Sequence, residues 1–94
     1  MTIRFAPRAR RDLEEIREYL EMRSPAGARN VLRAIKDAVR FVGEHPLASE
    51  QTDDPAIRVK IVLAYRYKIF YRVRGSVIEI VHVRHTSRRP WLGP

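Results

Sequence analysis

Residues 65–85 read YRYKIFYRVRGSVIEIVHVRH and carry the clearest fold signal in the chain. Both halves of this stretch are rich in β-branched and aromatic residues, which favour strands. Arg74-Gly75-Ser76 reads as a turn, so residues 65–73 and 77–84 are predicted to pair as an antiparallel hairpin. Alternation puts two sets on opposite faces of the first strand: Tyr65, Tyr67, Ile69, Tyr71 and Val73 on one, and Arg66, Lys68, Phe70 and Arg72 on the other.

The segments before this hairpin extend the prediction toward the amino terminus. Residues 57–61 alternate and add a strand, and residues 2–6 read as a short opening strand. Between them, residues 8–22 and 28–42 carry apolar stripes at helical spacing. Pro7 suits the first turn of one helix, Ser24 and Pro25 begin the next, and Gly43 and Pro46 end it; residues 46–56 are predicted to be a loop.

The resulting order, β-α-α-β-β-β, predicts an α+β fold in a single domain of residues 1–94. Two helices joined by one or two residues must fold back as an antiparallel hairpin. This hairpin is expected to pack on one face of a mainly antiparallel, twisted sheet. The other face of the sheet is then available for charged side chains.

Charge is distributed unevenly along the chain. The net charge is +8, yet residues 1–56 hold ten basic and ten acidic groups. Residues 57–94 hold nine basic groups and one acid, Glu79, and arginine supplies sixteen of the nineteen cations. Because the planar guanidinium suits phosphate and carboxylate groups, this asymmetry predicts an anionic partner, either a nucleic acid or an acidic protein segment.

Composition excludes several classes of site. The chain has no cysteine, three histidines and no glycine-rich phosphate loop, so we expect neither a metal nor a cofactor. The first residues lack the apolar stretch of a signal peptide, and no run approaches the roughly 18 apolar residues that span a bilayer. These features predict a cytoplasmic protein with no membrane contact.

Strand parity suggests where the cations gather. Arg58 and Lys60 share one face of their strand, and Arg66, Lys68 and Arg72 share one face of the next. The same parity allows His82 and Arg84 to lie with these cations on the uncovered face of the sheet. Such a face could bind a phosphate backbone or an acidic peptide, or stabilise a phosphorane-like charge while a histidine moves protons. For the tyrosines and His82, packing is favoured over stacking or catalysis. His85, at the strand end, is equally compatible with a functional role.

Three motifs, in this order, carry a resemblance to a known family. They are IRFAP at residues 3–7, followed by Ala9 and Asp12-Leu13; YKIFYRV at residues 67–73; and VIEIVHVRH at residues 77–85, followed by Arg88-Arg89. Together they make the chain resemble the ParE/RelE superfamily of type II toxins over nearly its whole length. The resemblance implies a toxin neutralised by a co-expressed antitoxin that wraps around it. The target is DNA gyrase in the ParE branch and mRNA on the ribosome in the RelE branch.

The end of the chain separates the two branches. A metal-free nuclease of the RelE type would use Arg58, Lys60, Arg66 and His85, but there is no tyrosine after Tyr71. An arginine stabilises charge without readily moving a proton at neutral pH. The terminal Ser87-Arg88-Arg89-Pro90-Trp91 looks like the ParE pattern. We therefore predict a non-enzymatic gyrase inhibitor of the plasmid-stabilisation type, with a RelE-like nuclease or a plain basic nucleic-acid-binding module as alternatives.

The resemblance also assigns partners to residues. The expected antitoxin is a ParD-like ribbon-helix-helix protein with an acidic amphipathic carboxyl-terminal segment, giving a hetero-oligomer. Its predicted contacts are Arg58, Lys60, Arg66, Lys68 and Arg72. The predicted target contacts are Arg84, His85, Arg88, Arg89 and Trp91, although Trp91 could instead pack across the sheet.

Overall fold

The computed structural model of the protein describes residues 1–87. The elements in chain order are β1 (Thr2–Phe5), α1 (Pro7–Glu21), α2 (Pro25–Glu44), β2 (Glu50–Gln51), β3 (Arg58–Val62), a 3-10 turn (Leu63–Tyr65), β4 (Tyr67–Arg74) and β5 (Val77–His85). The five strands form one sheet in the order β1-β5-β4-β3-β2. β1 runs parallel to β5, and the other neighbours are antiparallel. The predicted α+β class is confirmed, and β2 is an addition inside the predicted loop.

Local sequence signals set the helical hairpin. Ser24 Oγ accepts a hydrogen bond from the backbone N–H of Gly27 at 3.0 Å, and Pro25 occupies the first helical position. α2 continues through Gly43 to Glu44, one residue beyond the predicted stop. A Cβ at Gly43 would lie 2.8 Å from Ile3 Cδ1, so the glycine lets α2 approach β1 closely. Neither helix of residues 1–87 combines the length and apolar character needed to cross a membrane.

The main core lies between the helices and one face of the sheet. Ile69, Tyr71, Ile78 and Ile80 are fully buried there, against the apolar stripe of α2. Tyr71 also donates its hydroxyl to the carbonyl oxygen of Pro46 at 2.8 Å, which satisfies its polar end. Packing, expected for Tyr67 and Tyr71, is confirmed.

A register shift in β5 leads to a contact that local patterns do not reveal. Phe70 lies opposite His82 while Tyr71 lies opposite Ile80, so Val81 is the extra residue of a bulge. β1 ends level with Ile80, and beyond that point Asp12 of α1 covers the β5 edge. Asp12 Oδ2 accepts the backbone N–H of Val83 at 2.9 Å and lies 2.6 Å from His82 Nδ1.

His82 is a packed residue, as expected from its position inside an apolar strand. Its side chain is 5% exposed, and its ring stacks on Phe70 with 5.8 Å between centroids. An ionised carboxylate only accepts hydrogen bonds, so Nδ1 of His82 carries the proton toward Asp12. The pair therefore joins α1 to β5 at the bulge.

The connection from β3 to β4 differs from the prediction. Residues Leu63–Tyr65 form the 3-10 turn, and Arg66 follows with φ of 60°, in the left-handed region. β4 thus begins at Tyr67, and the predicted strand start at residue 65 is wrong. No glycine, asparagine or proline marks this turn in the sequence. Because the alternating pattern was the only signal there, it predicted that the strand extended through residues 65 and 66. Tyr65 is consequently 38% exposed, not packed.

Candidate binding surfaces

The predicted single cationic face does not form. Cross-strand partners share a face, and Arg58 lies opposite Tyr71 while Lys60 lies opposite Ile69. Arg58 and Lys60 therefore point to the helical side of the sheet, which corrects their placement with Lys68 and Arg72. Arg66 lies in the turn before β4 and belongs to neither face.

Arg58 and Lys60 contact α2 and the loop after it. Arg58 Nη1 donates to the carbonyl oxygens of Ser49 at 2.7 Å and Leu47 at 3.3 Å. Lys60 Nζ lies 4.3 Å from the centroid of the Phe41 ring, a cation–π distance. Arg58 thus holds the segment between α2 and β3, whereas Lys60 joins β3 to α2.

Other predicted cations do share the sheet face opposite the helices. Register places Lys68 beside Arg84, and Arg72 beside Glu79. Arg72 Nε donates to Glu79 Oε1 at 2.7 Å, and both side chains are about one quarter exposed. The single acid of residues 57–94 therefore offsets one of the cations on this face. Arg84 is only 9% exposed, and its Nη1 donates to the carbonyl oxygen of His85 at 3.3 Å.

A groove of about 520 Å³ opens between β1, α1 and α2; we call it the helix groove. It is lined by Ile3, Phe5, Leu13, Leu32, Ile35, Val39, Lys36 and Arg40. Six of these residues are apolar, and the remaining two, both from α2, are cations. Sequence reasoning missed this surface because its cations belong to the half of the chain with no net charge. The available signal was the apolar stripe of α2, which extends through the half-buried Leu32.

A second hollow of about 360 Å³ lies near the end of α1, and we call it the tyrosine pocket. Its lining is Ile16, Tyr19, Leu20, Val31, Tyr65, Tyr67, His85 and Ser87. The Tyr67 and His85 rings meet edge to face, with centroids 5.2 Å apart. The backbone N–H of Thr86 donates to the carbonyl oxygen of Arg66 at 2.8 Å, which fastens the end of β5 to the turn before β4.

The four residues of the nuclease alternative are therefore divided. Arg66 and His85 belong to neighbouring segments at one end of β4. Arg58 lies level with Tyr71, four residues further along, which is about 13 Å at the usual strand rise. Within residues 1–87, no three histidine, aspartate or glutamate side chains gather as metal ligands would. The predicted target residues Arg88, Arg89 and Trp91 lie outside the described residues.

Comparison with known proteins decides the family. Residues 3–90 match the model of the ParE toxin of the type II toxin–antitoxin system, parDE. The chain belongs to this ParE toxin family. Its membership confirms the resemblance carried by the three sequence motifs and identifies the chain as a toxin of the type II class.

Individual relatives carry names from the other branch. The chain is 26% identical to toxin RelE3 of Caulobacter vibrioides, over 94% of this chain and 97% of that toxin. It is 31% identical to toxin RelE2 of the same organism, over 86% of this chain and 90% of the relative. The family model thus carries the ParE name and these relatives carry the RelE name. Neither name establishes which cellular target this toxin acts on.

The fold is shared with a solved toxin–antitoxin system. The chromosomal ParDE system from P. aeruginosa includes a chain that superposes with a TM-score of 0.79. The match covers 93% of this chain and 97% of that one at 20% identity. This likeness confirms the ParE-like arrangement of two helices on a mixed five-stranded sheet.

Proposed function

We propose that this toxin arrests bacterial growth in the cytoplasm by inhibiting DNA gyrase, and that a ParD-like antitoxin neutralises it. The observation that carries the choice of gyrase is the division of the nuclease residues described above. Metal-free cleavage of RNA needs a proton-transfer group and charge-stabilising groups on the same phosphate. Here Arg58 is hydrogen-bonded to a loop carbonyl and lies about 13 Å along the sheet from the end that carries His85, while Lys60 lies against the Phe41 ring.

A supercoiling assay tests this proposal. Purified toxin is expected to inhibit ATP-dependent supercoiling of relaxed plasmid by gyrase and to trap cleaved DNA. Toxin premixed with its cognate antitoxin, at the same concentration, is the matched control and should leave gyrase active. Translating ribosomes treated with the toxin should keep their mRNA uncut. Cleaved mRNA with unaffected gyrase would contradict the proposal and make Arg66 and His85 the first catalytic candidates.

The helix groove supports antitoxin binding by its chemistry. An amphipathic segment can place apolar side chains against Leu32 and Val39, and its acidic face then lies near Lys36 and Arg40. We propose the groove as the main antitoxin contact. The predicted antitoxin contacts Arg58, Lys60, Arg66, Lys68 and Arg72 remain predictions, and a wrapping segment would reach them on more than one surface.

Charge reversal distinguishes the two antitoxin surfaces. Lys36→Glu with Arg40→Glu is expected to raise the antitoxin Kd at least tenfold, about 1.4 kcal/mol, because attraction at the groove rim becomes repulsion. Lys68→Glu with Arg72→Glu changes the net charge equally and should raise the Kd less than threefold. Titration calorimetry at physiological salt measures both. A larger increase in Kd for the Lys68/Arg72 variant would contradict the proposal and place the antitoxin on the sheet face opposite the helices.

A further inference from the structure

The helix groove has the composition of a small-molecule site as well as that of a protein contact. Its volume of about 520 Å³ lies within the usual range of ligand pockets, which are mostly apolar and carry a few polar groups that orient the ligand. We infer that the free toxin binds a fatty acid there, a straight alkyl chain that ends in one carboxylate. Fatty acid and antitoxin then compete for the groove, a consequence that rests on the function proposed above.

The apolar part of the lining defines the body of the ligand. Most of it is branched aliphatic, from Ile3, Leu13, Leu32, Ile35 and Val39. Among residues 1–87, the groove lining includes no hydroxyl, amide or carboxylate side chain. A polar group in the body of a ligand would leave water without gaining a hydrogen bond from these side chains, which disfavours binding. A body made only of hydrocarbon therefore fits the groove.

The size of the groove sets the length of the chain. A dry apolar cavity of about 150 Å³ holds one benzene molecule. On the same scale, the groove takes roughly 20 non-hydrogen atoms. Dodecanoate is shorter than this limit, whereas hexanoate would leave much of the apolar lining uncovered. We therefore expect affinity to increase with chain length from hexanoate to dodecanoate.

The cations of the groove define the head group of the ligand. Lys36 and Arg40 lie one helical turn apart on the exposed side of α2, whereas β1 and α1 contribute only apolar side chains to the lining. Within residues 1–87, neither cation takes part in an ion pair. A carboxylate can therefore bind at this wall while the alkyl chain extends toward Ile3 and Leu13. Charge on one wall only matches a ligand with a single anionic end.

Titration of the full chain without antitoxin tests the inference. The probes are dodecanoate, hexanoate and dodecyltrimethylammonium, which has an alkyl chain of the same length and a cationic head, all kept below the concentrations at which they form micelles. Two-dimensional NMR should show saturable shifts of the Leu32, Ile35 and Val39 methyl signals. Calorimetry should give dodecanoate a Kd at least tenfold lower than that of either other probe. Equal binding of the two head groups, or shifts mainly on other surfaces, would overturn the inference.

Variants separate the groove cations from general charge attraction. Lys36→Gln with Arg40→Gln is expected to raise the dodecanoate Kd at least fivefold. Lys68→Gln with Arg72→Gln removes the same charge from the sheet face opposite the helices and should change the Kd less than twofold. Melting curves confirm that each variant is folded. An unchanged Kd in the first variant, or an equal rise in both, would overturn the inference.

Competition separates this inference from the proposed antitoxin contact. Dodecanoate at ten times its own Kd should raise the apparent antitoxin Kd about tenfold, because each excludes the other from one site. Antitoxin binding without fatty acid tests the proposed function by itself. Failure of dodecanoate to bind would overturn only the present inference. Dodecanoate binding with an unchanged antitoxin Kd would instead contradict the placement of the antitoxin in the helix groove.

Discussion

Arg88→Ala combined with Arg89→Ala is expected to abolish growth arrest, raising the survival of induced cells by orders of magnitude. The two arginines are adjacent in the sequence and concentrate charge there, and arginine is among the residue types most often found at interface hot spots. The fold should persist, because both substitutions lie outside the core and the helix groove of residues 1–87, and exposed charges contribute little to stability. Colony counts after induction measure the effect, and the melting temperature and antitoxin Kd should stay near those of the wild type.

A matched control for this variant exists on α1. Arg10 and Arg11 are also adjacent and exposed, so Arg10→Ala with Arg11→Ala removes the same charge elsewhere. Toxicity should survive in this control. Growth arrest that persists in the Arg88/Arg89 variant, or that is lost equally in both, would show that the tail does not make the decisive target contact.

Asp12→Ala is expected to lower the free energy of unfolding by about 3 kcal/mol. The substitution removes the acceptor of the Val83 backbone N–H and of His82 Nδ1, both in a part of the sheet with little solvent. Each buried donor that loses its acceptor costs about 1–3 kcal/mol. For a domain of this size, the melting temperature should fall on the order of 15 °C. Urea unfolding followed by circular dichroism measures the change.

Two further variants test whether the loss comes from this contact. Asp12→Asn keeps one acceptor oxygen and should cost about half as much. Glu14 lies about half a helical turn from Asp12 on α1 and forms an exposed ion pair with Arg17. Glu14→Ala removes this pair and should change the free energy of unfolding by less than about 0.5 kcal/mol. A loss below 1 kcal/mol for Asp12→Ala would mean that the β5 edge finds other acceptors.

Much of the architecture follows from the sequence because its determinants are local. Ser24 caps α2 through an N–H three residues away, and Pro25 is suited to the helix start by its own ring. The apolar stripe of α2 and the alternation of β4 depend only on the period of each element. The hairpin at Gly75, the burial of Tyr71 and the packing of His82 could therefore be predicted, together with the α+β class.

The surfaces could not be predicted, because they depend on how distant segments align. Backbone pairing is nearly indifferent to side-chain identity, so only packing over the whole sheet selects the β3–β4 register that turns Arg58 and Lys60 toward the helices. Asp12 meets His82 across seventy residues of sequence, at a bulge that no local pattern marks. The helix groove and the tyrosine pocket likewise combine side chains from three or more elements. Local patterns therefore define the elements, their order and the family. Which charges and rings become neighbours depends on burial summed over the whole molecule, so these contacts are visible only in the folded chain.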